Sequence, residues 1–146
     1  MIRLTLLTAV GTVHHAGGLN WGFSQNAHVS KLDAYIPIHI QTIRDNLNFF
    51  KNRDITSNTV LTFIWDDGVH MNGLFEGTQH NSEDGLNYPK QISSHPHKNI
   101  LGKYLRDRLG VPYDRPVTLQ DLKNYGRDSV DITFLSDKTY YMDFSV

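Results

Sequence analysis

Apolar and polar positions alternate at the two ends of this chain and follow a helical period between them. Over residues 2–10, Ile2, Leu4 and Leu6 share one side and Arg3, Thr5 and Leu7 the other, which predicts a strand with one buried face. Residues 34–38 (AYIPI) predict a short strand that Pro37 places at an edge or an end, because proline cannot donate to a ladder. Ile40, Ile43, Leu47 and Phe50 recur at spacings of three and four, predicting a helix with Gln41, Arg44, Asp45 and Asn48 outside. The apolar run at residues 60–65, the turn signal Asp66-Asp67-Gly68 and residues 69–76 predict a hairpin. Ile100, Leu101, Tyr104, Leu105 and Leu109 predict a second helix, stopped by Gly110 and Pro112. Thr118 opens a third, with Leu119, Leu122 and Tyr125 inward, Asp121 at its third position and Gly126 at its end. Val130, Ile132 and Phe134, then Tyr140, Met142 and Phe144, alternate in two strands across a turn at residues 136–139. Six or seven strands and two or three short helices make the expected fold mainly β, an antiparallel barrel closed or half closed and plugged by helices. No repeat, linker or low-complexity segment divides residues 1–146, so one domain is expected.

Two stretches lack any period. Residues 11–33 carry four glycines among histidines, amides and hydroxyls, and glycine permits tight turns or close approach to another molecule. Trp21, within that polarity, is expected to plug the core at the root of the excursion. Residues 79–99 are expected to form a second long polar loop, offering Gln79, Asn81, Ser82, Asn87, Tyr88, Lys90, Gln91, Ser93, Ser94 and Asn99. Loops beyond about 12–15 residues within a compact domain are usually functional or disordered. Amide, hydroxyl and ammonium groups in such numbers suit base edges and phosphates.

Charge sharpens this picture. Between residues 88 and 110 five cations (Lys90, Lys98, Lys103, Arg106 and Arg108) face the single anion Asp107, although the whole chain carries −1. Lys103 and Arg106 are three positions apart and are expected on one helix face, a candidate for phosphate contact or simply a solvated surface. The overall pI near 6.7 argues the other way, since nucleic-acid modules are commonly basic. There is no cysteine, which excludes disulfides, thiolate metal sites and thiol redox chemistry. Neither a signal-like start nor an apolar run of about 20 residues occurs, so a cytoplasmic location and no membrane partner are expected.

Catalytic motifs are scarce. Neither glutamate, Glu76 or Glu83, has a lysine two positions on, as a metal-dependent nuclease pattern wants. No histidine is followed by lysine at the His-x-Lys spacing, and no Walker loop, His-Glu-x-x-His or Gly-x-Ser-x-Gly occurs. Asp66-Asp67 is either a carboxylate pair for acid–base or metal chemistry or the turn that Asp-Gly favours, and the turn is expected. His95 and His97 would bind a metal only with a third ligand from elsewhere, and otherwise donate to phosphate or simply sit in solvent; the same holds for His14 and His15. No cofactor and no small-molecule substrate are expected.

Several blocks together resemble a known family. They are Gly18-Leu19-Asn20-Trp21-Gly22, Ala34-Tyr35-Ile36-Pro37-Ile38, Asp66-Asp67-Gly68, residues 99–106 (NILGKYLR), residues 125–130 (YGRDSV) and residues 140–145 (YYMDFS). In this order they resemble the C-terminal DNA-recognition domain of restriction endonucleases that carry a phospholipase D-type nuclease domain. The resemblance spans nearly the whole chain. It implies a seven-stranded open antiparallel DNA-binding pseudobarrel capped by two or three helices, the fold of the B-three-type domains of plant transcription factors. It also implies two arms that grip the major groove, one from between the first two strands and one from between the middle strands, matching the two polar excursions. The nuclease domain has no counterpart here. A recognition domain without its own catalytic site is therefore expected, in a bacterial cytoplasm, with double-stranded DNA and the nuclease domain or subunit of a restriction enzyme as partners.

By position, the resemblance puts first-arm contacts among Asn20, Ser24, Gln25, Asn26, His28 and Lys31, and second-arm contacts among Asn87, Tyr88, Lys90, Gln91, Ser93 and Ser94. Lysine suits guanine and glutamine suits adenine, so Lys90 and Gln91 are the foremost base readers. His95, His97, Lys98, Lys103 and Arg127 are candidates for phosphate, with Arg127 alternatively paired to Asp128 or Asp131. Two other functions compete: a small metal-dependent nuclease or hydrolase using His95, His97 and Asp66 or Asp67, and a barrel that binds protein or carbohydrate through exposed Trp21 and Tyr88.

Overall fold

The computed structural model describes residues 1–24, 30–51 and 59–146. Its strands are β1 (Ile2–Thr5), β2 (Ile36–Pro37), β3 (Leu61–Trp65), β4 (His70–Glu76), β5 (Gln79–Asn81), β6 (Leu86–Tyr88), β7 (Gln91–Ser94), β8 (Ser129–Ser136) and β9 (Thr139–Asp143). Seven of them form one sheet in the order β1-β8-β9-β3-β4-β7-β2, while β5 and β6 pair only with each other. The edge strands β1 and β2 contact one another, so the sheet nearly closes into a barrel.

One pairing departs from the antiparallel expectation. β9 lies parallel to β3, from Thr62 opposite Thr139 to Trp65 opposite Met142. β8 returns antiparallel to β1 and turns tightly into β9 at Asp137-Lys138, which fixes the direction of β9 beside β3. The Asp66-Asp67-Gly68 turn forms as expected. Gly68 takes φ +87 and Asp67 Oδ1 accepts the Val69 amide at 3.1 Å, so the side chain closes the turn that glycine permits.

Four helices accompany the sheet: α1 (Ile40–Asp45), α2 (Leu47–Lys51), α3 (Asn99–Leu109) and α4 (Leu119–Tyr125). The single helix expected from Ile40 to Phe50 is two, broken at Asn46, which adopts φ −139. The Asn46 side-chain amide donates to Thr42 O at 2.8 Å and so competes with the helical ladder. α4 begins with a reciprocal Thr118–Asp121 capping box and ends at Gly126 with φ +101, both as the sequence predicts. α3 borrows its cap: Ser94 Oγ, at the end of β7, accepts the Leu101 amide at 2.9 Å.

The inward faces meet in one core centred on Tyr140, whose ring lies 5.2–6.2 Å from those of Phe49, Phe63, Phe75 and Phe134. Beneath it, Arg108 grips Asp66 in a two-pronged ion pair (2.7 and 2.8 Å) and also donates to Phe144 O. Asp66 in turn accepts the Phe144 amide at 2.7 Å, so the two residues tie α3 and the turn after β3 to the residue that follows the final strand. Burial alone would raise the Asp66 pKa. The Arg108 contacts and the Phe144 amide outweigh it and hold the carboxyl below its ordinary value. Asp121 is lowered too, through its bonds with Arg115 and Thr118. A depressed carboxylate stabilises the fold fully above the unfolded value near about 4 and loses that contribution as pH falls through the folded-state pKa. Thermal melts should therefore be flat from pH 7 to about 5 and fall below about pH 4. An Asp66→Asn variant should start lower and fall less steeply.

Candidate nucleic-acid interface

Two excursions leave the barrel, residues 6–35 between β1 and β2 and residues 77–90 between β4 and β7. Their roots meet just after β2. The Ile38 amide donates to Lys90 O at 2.9 Å, and Gln79 Nε2 donates to Ile38 O at 2.6 Å and to Pro89 O at 3.0 Å. The next residue, His39, holds the departure of the first excursion through a 2.9 Å bond to Leu7 O. A carbonyl only accepts, so His39 Nε2 carries the proton.

The first excursion folds back on itself. Residues Gly18–Phe23 form a 3₁₀ turn, followed by Ser24, whose amide donates to Trp21 O at 3.0 Å. The outgoing and returning limbs touch at Gly22, whose amide donates to Asp33 O at 2.9 Å. A Cβ there would lie 2.4 Å from Ser30 O, so only glycine lets the limbs close. The returning limb lies on α3: the Ala34 amide donates to Lys98 O at 3.3 Å, and a Cβ on Gly102 would fall 1.7 Å from Leu32 O. Trp21 is not a core plug. It is half-buried, edge-on to the Tyr35 ring at 5.1 Å.

The second excursion is not a long loop. β5 and β6 make a small hairpin, and residues 91–94 enter the main sheet as β7. The Asp84 carboxylate accepts the Leu86 amide and the Tyr88 hydroxyl, which fixes the hairpin tip. Arg44 of α1 braces the tip through Asn81 Oδ1 at 3.0 Å and Glu83 at 3.4 Å.

Behind the hairpin lies a compact polar cluster on the outer side of β4 and β7. Glu76 accepts from Gln91 Nε2 (3.1 Å), from Ser93 Oγ and from Lys98 Nζ (2.9 Å), while Lys98 also donates to Ser93 Oγ at 3.1 Å. Burial pushes the Glu76 pKa up, but the Ser93 and Lys98 bonds pull it below the ordinary value, so it stays ionised at neutral pH. Glu76 is not among the residues expected from sequence. Its one signal there is an acid at a strand end, which the register sets directly opposite a glutamine.

Among the expected contacts, Lys31, Asn87, Lys90, His97 and Lys103 are exposed, and Gln91, His95 and Lys98 half-exposed. Gln25, Asn26 and His28 lie outside the described residues. The others, Ser24 apart, are committed to the protein itself. Asn20 is fully buried: Nδ2 donates to His14 O and Val117 O, and Oδ1 accepts from the Val117 amide and Arg106 Nη2. Tyr88, Ser93 and Ser94 are buried in the hairpin and the sheet, and Ser24 is half-buried. Arg127 donates to Ser129 O and Ser145 O and pairs with Asp131 at 2.9 Å, one of its two alternative partners.

The basic face expected on α3 does not form. Arg106 is buried, with Nη1 donating to Pro112 O and Arg115 O, and burial lowers its pKa. Arg108 belongs to Asp66, and Lys103 pairs with Asp107 at 2.9 Å. Among the described residues no three histidine, aspartate or glutamate side chains converge to hold a metal ion. The Asp121-Leu122-Lys123 run does have the Asp-x-Lys spacing, but Asp121 is spent on Thr118 and Arg115. Among the described residues no helix is long and apolar enough to cross a membrane.

A nearly closed seven-stranded sheet with short helices and two excursions joined at their roots defines a B3-like pseudobarrel, a class of DNA-binding domain. The chain belongs to the family of the NgoFVII C-terminal B3-like DNA-binding domain, whose family model matches residues 1–136. That is a restriction endonuclease DNA-recognition domain, so DNA binding is the function of this fold here. The chain matches no curated protein.

Proposed function

We propose that this chain is the target-recognition part of a restriction endonuclease, forming one domain over residues 1–146 and reading a short asymmetric site in the major groove of duplex DNA. Cleavage then falls to a nuclease domain or subunit that acts with it, in a bacterial cytoplasm. The observation that supports this most directly is the joint root of the two excursions at Ile38 and His39, which sets both at neighbouring points on the barrel. On that arrangement, Lys31 on the first arm and Lys90 at the foot of the second supply cations, and Gln91, next in the chain after Lys90, supplies a base-reading amide. His95 and His97, in the turn after β7, reach toward phosphate. The absence of a two-fold axis within one such domain favours a non-palindromic target.

Selection from a random duplex pool tests the reading. The expected result is a short asymmetric consensus bound about 1000-fold tighter than a scrambled duplex. No consensus, with affinity for both duplexes vanishing alike as salt rises, would leave a non-specific clamp and defeat the proposal. Lys31→Ala is expected to weaken all duplexes alike and to reduce the slope of log K against log salt by about 1, the mark of one phosphate no longer neutralised. Lys90→Ala is expected instead to relax preference at one base pair, with a loss of about 1–3 kcal/mol.

A further inference from the structure

Gln91 is half-exposed, and its amide is held from behind. In the β4–β7 register it lies directly opposite Glu76, and its Nε2 donates to Glu76 Oε1 at 3.1 Å. The carboxylate is itself braced: Ser93 Oγ donates to the same oxygen, Lys98 Nζ donates to the other at 2.9 Å, and Lys98 also bonds Ser93 at 3.1 Å. An ionised carboxylate has no hydrogen to give. The amide oxygen of Gln91 therefore cannot turn toward it, and the nitrogen must. That choice is dictated by chemistry and does not depend on how the two amide atoms are told apart.

An amide nitrogen carries two hydrogens. One is taken by Glu76. The other and the amide oxygen remain, a donor and an acceptor side by side. Adenine presents the matching pair in the major groove, an N7 acceptor beside an N6 donor, and no other base offers that pair. We infer that Glu76 is a positioning residue for base specificity, locking the Gln91 amide in the orientation that selects adenine. This rests on the DNA-recognition reading above. It adds which base is read, and that an acidic residue, itself unfavourable near phosphates, is kept at the interface to do it. Lys98 then serves as the counter-ion of Glu76 and is not a main phosphate contact.

The test begins with the wild-type consensus, which must exist for the DNA-recognition reading to hold at all. Gln91→Ala should flatten preference at one position of that consensus by about ten-fold or more, and the base no longer preferred there should be adenine. Glu76→Gln, which keeps the shape and removes the charge, lets the pair reorient. It should flatten the same position while strengthening binding to every duplex, because Lys98 is freed for phosphate. Since that second effect is uniform, the quantity to read is the ratio of affinities for adenine and the other three bases at fixed salt. In the Gln91→Ala background, Glu76→Gln should leave that ratio unchanged, as it acts only through Gln91. A consensus whose Gln91-dependent base is not adenine overturns the orientation. An unchanged ratio in Glu76→Gln overturns the positioning role. Thermal melts accompany each variant; if Glu76→Gln does not fold, the base whose preference disappears in Gln91→Ala, which leaves Ser93 and Lys98 on Glu76, still decides the orientation.

Discussion

Asn20→Ala is expected to lower the free energy of unfolding by about 3 kcal/mol or more, a large share of the total for a domain of this size. The amide makes four hydrogen bonds with no exposure to solvent, to His14 O, Val117 O, the Val117 amide and Arg106 Nη2. Alanine removes the amide and leaves its partners behind. His14 is at the surface and water can replace the missing donor there. The Val117 amide and carbonyl are buried, and each unsatisfied buried group costs about 1–3 kcal/mol. Arg106 keeps its bonds to Pro112 O and Arg115 O, which limits the damage. Asn20→Asp should fall between, since it preserves the acceptor and gains attraction to Arg106 but cannot donate to Val117 O. Urea unfolding should show a lower midpoint with an unchanged slope. A variant as stable as wild type that loses preference at one base pair would instead make Asn20 a DNA reader.

Asn20 also shows what the sequence concealed. An asparagine in a glycine-rich polar stretch looks the same whether it faces solvent or a buried backbone, and only the fold brings Val117 to it. Other elements were legible. Alternation marked β1, β8 and β9, Asp-Gly marked the β3–β4 turn, and Thr118 with Asp121 marked the start of α4, because each signal depends on neighbours in the chain. β7 was hidden for the opposite reason. Gln91-Ile92-Ser93-Ser94 has one apolar residue for the core, while its other face meets the Glu76 cluster, so a buried strand reads as polar loop. The helix over residues 40–50 kept its apolar period across the Asn46 break, since period reports which side is buried and not whether the ladder is continuous. On α3 the number of cations was right and their direction was not. Arg106 lies four positions after Gly102, which puts it on the face turned toward the first excursion, rather than out beside Lys103.

That same face carries the second large effect. Gly102→Ala is expected to cost about 3 kcal/mol or more and to weaken DNA binding beyond what the loss of folded protein explains. A methyl group on Gly102 would sit 1.7 Å from Leu32 O, 2.8 Å from Leu32 C and 3.1 Å from Ala34 Cβ. The first two neighbours are backbone, so no side chain can swing aside, and the helix or the returning limb must move. Overpacking a well-packed site costs about 1–3 kcal/mol, and a clash with backbone belongs at the top of that range or above. Greater helix propensity for alanine returns about 1 kcal/mol at most, too little to reverse the sign. The limb is the weaker side, because α3 is anchored by Leu101 and Leu105 in the core and by the Arg108–Asp66 pair. Displacing it strains the bond from the Ala34 amide to Lys98 O and the close approach at Gly22, and moves Lys31, whose backbone lies against Gly22. On the proposed reading Lys31 meets phosphate, which every duplex carries. Binding measured well below the melting temperature should therefore drop for the consensus and the scrambled duplex together. A Gly102→Ala protein that melts like wild type would mean that the returning limb does not rest on α3. One that is destabilised yet binds with unchanged affinity when folded would mean that the returning limb takes no part in holding DNA.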